Sequence, residues 1–313
     1  MKNSVRTCSE PSGEWCCKRS ESRRLAESPG MSSLRFDREN LPSDTTAPFA
    51  SIIPRRRCPL QTNSTKAKLQ AGEMVLGCFV RYPDASLIEV LGYLGWDFLV
   101  FDGEHGTLEP RDCENLVRAA ELRGVTPIVR VTTNLAPIIL RYLDTGAQGA
   151  LVPWINSAEE AERAVRAVKY FPRGNRGLAG VRASDFAQAG PLSDYIMKAN
   201  AETLVVLQVE SADAVEQLPR ILEVEDVDVV FIGPNDLSNS LGFAGQLDHP
   251  KVKPVLDRAV ELILHSKRSL GIMVGNVGAA QHWKQRGARF ITITLDNITG
   301  PAVRAYLNSV RSS

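Results

Sequence analysis

The sequence predicts an α/β protein, a (β/α)8 TIM barrel preceded by a disordered N-terminal leader. Three observations carry that prediction. From Met74 onward, short β-branched runs alternate with amphipathic stretches almost to the C terminus. The alternation counts to eight strand–helix units in about 240 residues, the size of an eight-fold barrel. The strands are near-continuous apolar runs, as parallel strands covered on both faces should be. A doubly wound open sheet is the competing class. It calls for a glycine-rich phosphate loop after the first strand, whereas here that strand runs into RYPDAS.

The first unit joins the strand VLGCFV (75–80) to a helix over 83–95, with Leu87, Val90, Leu91 and Leu94 on one face. FLVFD (98–102) leads to a helix over 110–124, with Pro110 in its first turn and Gly124 past its end. TPIVRV (126–131) precedes a helix over 135–146, closed by Gly146. GALVP (149–153) precedes a helix over 157–170, where Ser157 and Glu160 form a capping box. The loop 171–190, rich in Gly and Arg, is longer than most connections in a compact domain, and a helix over 191–201 follows it. TLVVLQVE (203–210) pairs with a helix over 211–222, and VDVVFIG (227–233) leads through a polar loop to a helix over 251–267. LGIMVG (270–275) with a helix over 278–287, and RFITIT (289–294) with a helix over 299–310, complete the series.

Composition sets outer bounds. An apolar fraction of 43% is enough for a sizeable core and excludes wholesale disorder. No stretch approaches about 18 consecutive apolar residues, so no membrane helix is predicted. The net charge of +1 gives no reason to expect a nucleic-acid partner. That total hides a split, because residues 1–72 hold 13 Lys and Arg against 7 Asp and Glu, leaving residues 73–313 mildly acidic. The leader, 1–72, is rich in Ser, Pro, Arg and Thr without periodicity and is read as disordered. Its Arg and Ser fit a transit peptide, but its seven acids do not, and it has no secretory h-region. The preferred reading is a dispensable tail, or a start codon upstream of the true one, with Met31 as an internal alternative; the barrel is then expected in the cytoplasm. Of six cysteines only Cys78 and Cys113 fall in the barrel, as buried thiols of a reducing compartment; no C-x-x-C occurs.

Active sites of this fold collect at the carboxyl ends of the strands. The second strand ends in Asp102, Glu104 and His105, the third in Arg130, the fifth in Gln208 and Glu210, and the sixth in Asn235 and Asp236. Asp144 closes the helix after the third strand. Glu210 and Asp236 come from neighbouring strands, and two carboxylates with room for water suit a hard divalent cation, magnesium or manganese. His105, one of four histidines, is placed for general-base work with Asp144 or Asp102 as its partner; a capping or core role is the alternative. Arg130 either stabilises a developing enolate oxygen or grip a carboxylate, or forms an ion pair with a barrel acid. The barrel lysines, at 169, 198, 251, 253, 267 and 284, end no strand, so a Schiff-base mechanism has no candidate.

The segments FDGEHG, PIVRV, YLDTGAQGALVPWINSAEEAERAV, FPRGNRG, VLQVES and FIGPNDLS, in this order, resemble the HpcH/HpaI aldolase family over about residues 66–310. This is the group of metal-dependent 2-oxo acid aldolases that includes 4-hydroxy-2-oxoheptanedioate and 2-dehydro-3-deoxyglucarate aldolases. The resemblance implies a barrel of the phosphoenolpyruvate/pyruvate type, its last helix exchanged between subunits of a homohexamer. It implies His105 as catalytic base, Arg130 as transition-state stabiliser, and Asp144 as the acid that raises the basicity of the histidine. Glu210 and Asp236 become ligands of magnesium or manganese, and Gln208, Asn235 and Asp236 substrate contacts. Arg176 and Gly177 fall in an active-site loop motif. Asn235 and Trp154 depart from the family pattern near strand ends, where they bear on substrate choice. The activity implied is reversible cleavage of a 4-hydroxy-2-oxo acid to pyruvate and an aldehyde. A CoA-thioester lyase of the citrate-lyase β type and a non-catalytic oxo-acid-binding barrel are the alternatives.

Overall fold

The computed structural model describes residues 62–312. Eight parallel strands, β1 (Val75–Val80), β2 (Phe98–Asp102), β3 (Thr126–Arg130), β4 (Gly149–Val152), β5 (Leu204–Val209), β6 (Val229–Ile232), β7 (Ser269–Val274) and β8 (Phe290–Thr294), each pair with the next. β8 pairs back onto β1, so the sheet closes as the sequence predicts. Side chains alternate in and out along each strand. Phe98 and Val100, Leu204 and Val206, and Val229 and Phe231 belong to one inner cluster, while Leu99, Phe101, Val205, Leu207 and Val230 join the outer core under the helices. The interior is filled rather than hollow. The Phe98 and Phe290 rings stack at 4.1 Å, and a Cβ on Gly77 would lie 2.1 Å from the Phe98 ring, so the bare glycine makes room for it.

A helix opens the described chain, α1 (Ser64–Gln70). The outer ring is α2 (Ala85–Tyr93), α3 (Pro110–Arg123), α4 (Ala136–Leu143), α5 (Ala158–Val168), α6 (Leu192–Glu202), α7 (Ala212–Glu223), α8 (Pro234–Ser240), α9 (Lys253–Leu264), α10 (Val277–Gln285) and α11 (Leu295–Arg311). Pro110 takes the first position of α3 and Gly124 caps its end at φ 68°. At α5, Ser157 caps as predicted, accepting from Glu160 N at 3.2 Å, but the Glu160 carboxylate takes the Asn156 N–H at 2.8 Å. The polar loop expected after β6 is in part helical, because Pro234 starts α8 with its φ preset. Cys78 and Cys113 are buried free thiols, each pushed up to about 12 by burial. Among the described residues no helix is long and apolar enough to cross a membrane.

The boundary placed at residue 72 is corrected. Residues 63–70 are ordered, and their hydrogen-bond and ion-pair partners elsewhere in the chain lie just before a strand or at its first residue. Asn63 caps α1 by accepting from Lys66 N at 2.9 Å, and its amide donates to Gln148 O and Glu202 O, both at 3.0 Å. Thr65 donates to Asp97 O at 3.0 Å, Lys66 pairs with Asp228 at 3.0 Å, and Leu69 enters the inner cluster. The helix therefore stoppers the amino-terminal end of the barrel. A single large apolar residue, Leu69, gave it no periodicity; only the Asn63 cap and Gly72, at φ 79°, mark its ends. The reading of the leader as tail or transit peptide, and its four cysteines, lie on residues 1–61, outside the described residues.

The same end holds a buried cation. Lys169, wholly buried, donates to Asn200 O at 2.8 Å and Thr203 O at 2.7 Å. Burial, helped by the charge of Lys66, pushes it down from 10.5 to about 7. Between that value and 10.5 the unfolded chain binds the extra proton, so stability rises with pH across this window, falls as pH is lowered from 10.5 toward about 7, and is unaffected by this group below that. Urea unfolding at pH 6.5, 8 and 9.5 is expected to show this rise in the wild type and a smaller rise in Lys169→Met.

Candidate active site

The register of the barrel builds the centre of the site. Asp102 and Arg130 are direct partners across β2 and β3, both at inward positions. Arg130 Nε and Nη2 donate to the two Asp102 oxygens at 2.8 and 2.7 Å, and Nη1 lies 3.2 Å from Glu104 Oε2. The Arg130 guanidinium also sits over the Phe79 ring, 4.8 Å from its centre. Burial alone would raise the Asp102 pKa, but the hydrogen bonds and charge of Arg130 hold it below the ordinary carboxylate range. The ion pair weighed for Arg130 in the sequence is thus present, and Arg130 lines the cavity as well. Asp102 Oδ1 also accepts the backbone N–H groups of Glu104 at 3.2 Å and His105 at 3.1 Å, which turns the FDGEHG loop over the barrel mouth. The His105 ring is more than half exposed, with Nε2 3.9 Å from Glu104 Oε2.

Opposite stand the groups of β5 and α8. Glu210 continues the inward series of Leu204, Val206 and Gln208, and is 1% exposed. Its Oε1 accepts the Trp154 backbone N–H at 3.0 Å and its Oε2 accepts from the Gln208 amide. Burial pushes Glu210 up to about 7 against those two hydrogen bonds, and the charges of Glu104 and Asp236 add to the rise. A cavity of about 410 Å3 is lined by His105, Arg130, Gln208, Asn235 and Asp236. Five of the predicted residues therefore share one space, and Glu210 is joined to it through its hydrogen bond from Gln208.

The donor set fits a divalent cation. Buried Gln208 Oε1 has no hydrogen-bond partner, and the Glu210–Asp236 carboxylates carry mutual repulsion that a cation would relieve. Among the described residues no group of three or more His, Cys, Asp or Glu forms a metal cage. Two carboxylates with remaining positions left to water and substrate suit magnesium or manganese better than zinc.

Asp144 is not brought to His105. It caps α4 outside the cavity, and its Oδ1 accepts from Arg176 Nη2 at 2.8 Å. Arg176 is buried on the Tyr170 ring, so the GNRG loop serves Asp144 rather than the cavity wall. Two residues given no role in the chemistry from sequence prove central. Trp154 donates through Nε1 to Glu104 Oε1 and through its backbone to Glu210, both at 3.0 Å, and so ties the two sides of the site together. It does so at φ 56°, a left-handed conformation costing on the order of 1–3 kcal/mol. Glu104, buried and raised in pKa chiefly by burial, joins Trp154 to Arg130. Its place in FDGEHG was the available signal; nothing local marks Trp154 beyond its departure from the family pattern. Lys169, with its depressed pKa, lies at the opposite end of the barrel.

Residues 75–299 match the model of the family described as HpcH/HpaI aldolase/citrate lyase. The chain is 38% identical over 240 residues to a hydroxypyruvate/pyruvate aldolase of Roseobacter denitrificans, covering 76% of this chain and 93% of that one. It is 37% identical over 236 residues to a 4-hydroxy-2-oxo-heptane-1,7-dioate aldolase of Escherichia coli, covering 75% and 89%. A crystal structure of an HpcH/HpaI aldolase/citrate lyase family protein from Burkholderia cenocepacia superimposes with a TM-score of 0.76 at 34% identity, over 80% of this chain and all of that one.

Room for the Glu210 carboxylate depends on a glycine. A Cβ on Gly233 would lie 2.8 Å from Glu210 Oε2. Gly233→Ala is therefore expected to displace Glu210 and weaken magnesium or manganese binding by about tenfold or more in calorimetric titration. Unchanged affinity would show that Glu210 does not ligate the ion from this position.

Proposed function

This chain belongs to the HpcH/HpaI aldolase/citrate lyase family, and on that premise we propose that it is a class II, divalent-metal-dependent aldolase. It cleaves a 4-hydroxy-2-oxo acid reversibly to pyruvate and an aldehyde, which makes it a carbon–carbon lyase acting on small molecules. The observation that carries the reading is one cavity lined from four strand ends by His105, Arg130, Gln208 and Asp236, with the buried Glu210 carboxylate bonded to Gln208 behind it and no lysine in the lining.

Glu210 and Asp236 would hold the metal, magnesium or manganese, whose chemistry is to polarise the 2-oxo acid and stabilise negative charge on the departing enolate. Gln208 and Asn235 hold the substrate on the same side of the cavity. His105 removes the proton of the C4 hydroxyl, the C4 oxygen forms the aldehyde carbonyl, and the electron pair of the C3–C4 bond passes to the pyruvate enolate. Arg130 cannot swing away, because Asp102 and Glu104 fix all three of its nitrogens, and it offers a preorganised positive charge to that enolate. Protonated His105 returns its proton to C3, which completes pyruvate.

Purified protein supplied with magnesium or manganese is expected to release pyruvate from a 4-hydroxy-2-oxo acid and to exchange the methyl protons of added pyruvate. EDTA should abolish both. His105→Ala should lower kcat by about a hundredfold or more, in line with loss of a general base. Exchange that survives both EDTA and Glu210→Ala would falsify the metal role.

The oligomer expected from the sequence also belongs to this reading. In α11 only Leu295 is buried, while Val303, Tyr306, Leu307 and Val310 form an apolar stripe at helical spacing and all are exposed. An apolar groove of about 450 Å3, lined by residues including Met74, Trp96, Val277 and Ile293, lies against β1, β7 and β8. A second copy of the chain, contributing its α11 to such a groove, covers both surfaces. Asp144 then supports His105 only across a subunit contact, because within one chain Arg176 engages it. Light scattering should report a homo-oligomer, a hexamer in the fullest form of the reading, and Tyr306→Asp with Val310→Asp should reduce the mass toward the monomer; a monomeric wild type refutes helix exchange.

A further inference from the structure

The aldehyde half of the substrate is the part that the mechanism leaves without a partner. In a closed ring of eight strands β5, which leads into Glu210, lies four strands from β1 and faces it across the mouth. His105 follows β2, the neighbour of β1. A substrate whose carboxylate end lies with Glu210 and Asp236, and whose C4 hydroxyl meets His105, therefore runs on toward the end of β1.

Arg81 stands there. It continues the inward series of Val75, Gly77 and Phe79 and lines the same cavity as His105 and Asp236. Its stem packs on the FDGEHG loop, where a Cβ on Gly106 would come within 3.3 Å of Arg81 Cγ. One edge of its guanidinium is anchored: Nη2 donates to one oxygen of Asp296, at the start of α11, and the Tyr82 hydroxyl donates to the other. Asp296 is thereby matched by two donors, and among the described residues Arg81 Nε and Nη1 make no hydrogen bond. Arg130, the other arginine of the cavity, has all its nitrogens engaged. Arg81 Nη2 spends one of its two N–H groups on Asp296, so the opposite edge of that guanidinium keeps a parallel pair, the second Nη2 N–H beside that of Nη1 or Nε, and such a pair fits a carboxylate.

Resting on the aldolase reading, we propose that Arg81 determines specificity: its open edge takes a carboxylate on the aldehyde half, so the preferred acceptors are anionic aldehydes. The wild type, Arg81→Gln and Arg81→Lys are assayed in the aldol direction with pyruvate, magnesium and paired acceptors, 4-oxobutanoate against butanal and glyoxylate against glycolaldehyde. Arg81 is about 40% exposed, and a thermal melt of each variant verifies folding. The wild type should favour the anionic member of each pair. In Arg81→Gln that selectivity ratio should fall roughly ten- to hundredfold, mainly through KM of the anionic aldehyde, with partial return in Arg81→Lys. A wild type that favours the neutral aldehydes, or a variant that loses both members of a pair equally, overturns the proposal while leaving the aldolase reading intact. Absence of metal-dependent methyl-proton exchange in pyruvate overturns the aldolase reading itself, and this inference with it.

Discussion

Closure of eight parallel strands is the constraint on which the rest of this molecule depends. A closed ring has no edge, so each strand must lie in fixed register with two neighbours. Register then decides which side chains meet. Asp102 and Arg130 face each other because Phe98 is paired with Thr126 four residues earlier. The apolar layers formed by Phe98, Phe290 and Phe231 fill the barrel below and keep water from that end of the ion pair. A charge pair so deeply buried contributes little net stability, since desolvation offsets much of its attraction. Its value here is geometric: Asp102 fixes Arg130 with one set of bonds and the His105 loop with another.

The two ends of the barrel divide the work. At the amino-terminal end, the buried Lys66 of α1 and Lys169 satisfy carbonyls, and Lys66 pairs with Asp228 to close the core. At the carboxyl end, polar groups are left incompletely satisfied. Gln208 Oε1 has no hydrogen-bond partner, Glu210 is displaced toward its neutral form, and Trp154 is held at positive φ. Unmet polar groups and backbone strain cost stability and persist where they serve ligand binding. Their concentration at one end separates the chemical site from the structural one more clearly than burial or charge alone. A perturbed lysine pKa by itself would have pointed to the wrong end.

Trp154 shows how the site is held together. Glu104 and Glu210 follow different strands on different sides of the mouth, and both carboxylates are largely shielded from water. One residue donates to each, from its indole and from its backbone. The left-handed backbone at Trp154 aims both donors at once, which accounts for strain at that residue. The link also sets the spacing between the Arg130 side of the cavity and the carboxylate side.

The sequence by itself determined the barrel, the starts of its strands to within two residues, and several of the strand-end residues that line the cavity, though not Arg81. It could do so because strand periodicity and apolar runs are local, and because parity along a strand places Gln208 and Glu210 on one face. It missed α1, since seven residues with one buried apolar side chain carry no period, and their fixation comes from carbonyls just before three strands and the Asp228 carboxylate before a fourth. Only the tertiary structure decided the partners. Asp144 and Arg176 are 32 residues apart and are joined by the packing of the loop against α4. Trp154 reaches Glu104 and Glu210 at separations of 50 and 56 residues. Arg81 meets Asp296 because β8 returns to β1. Contacts of that kind are made by barrel closure, and no local pattern of residues encodes them.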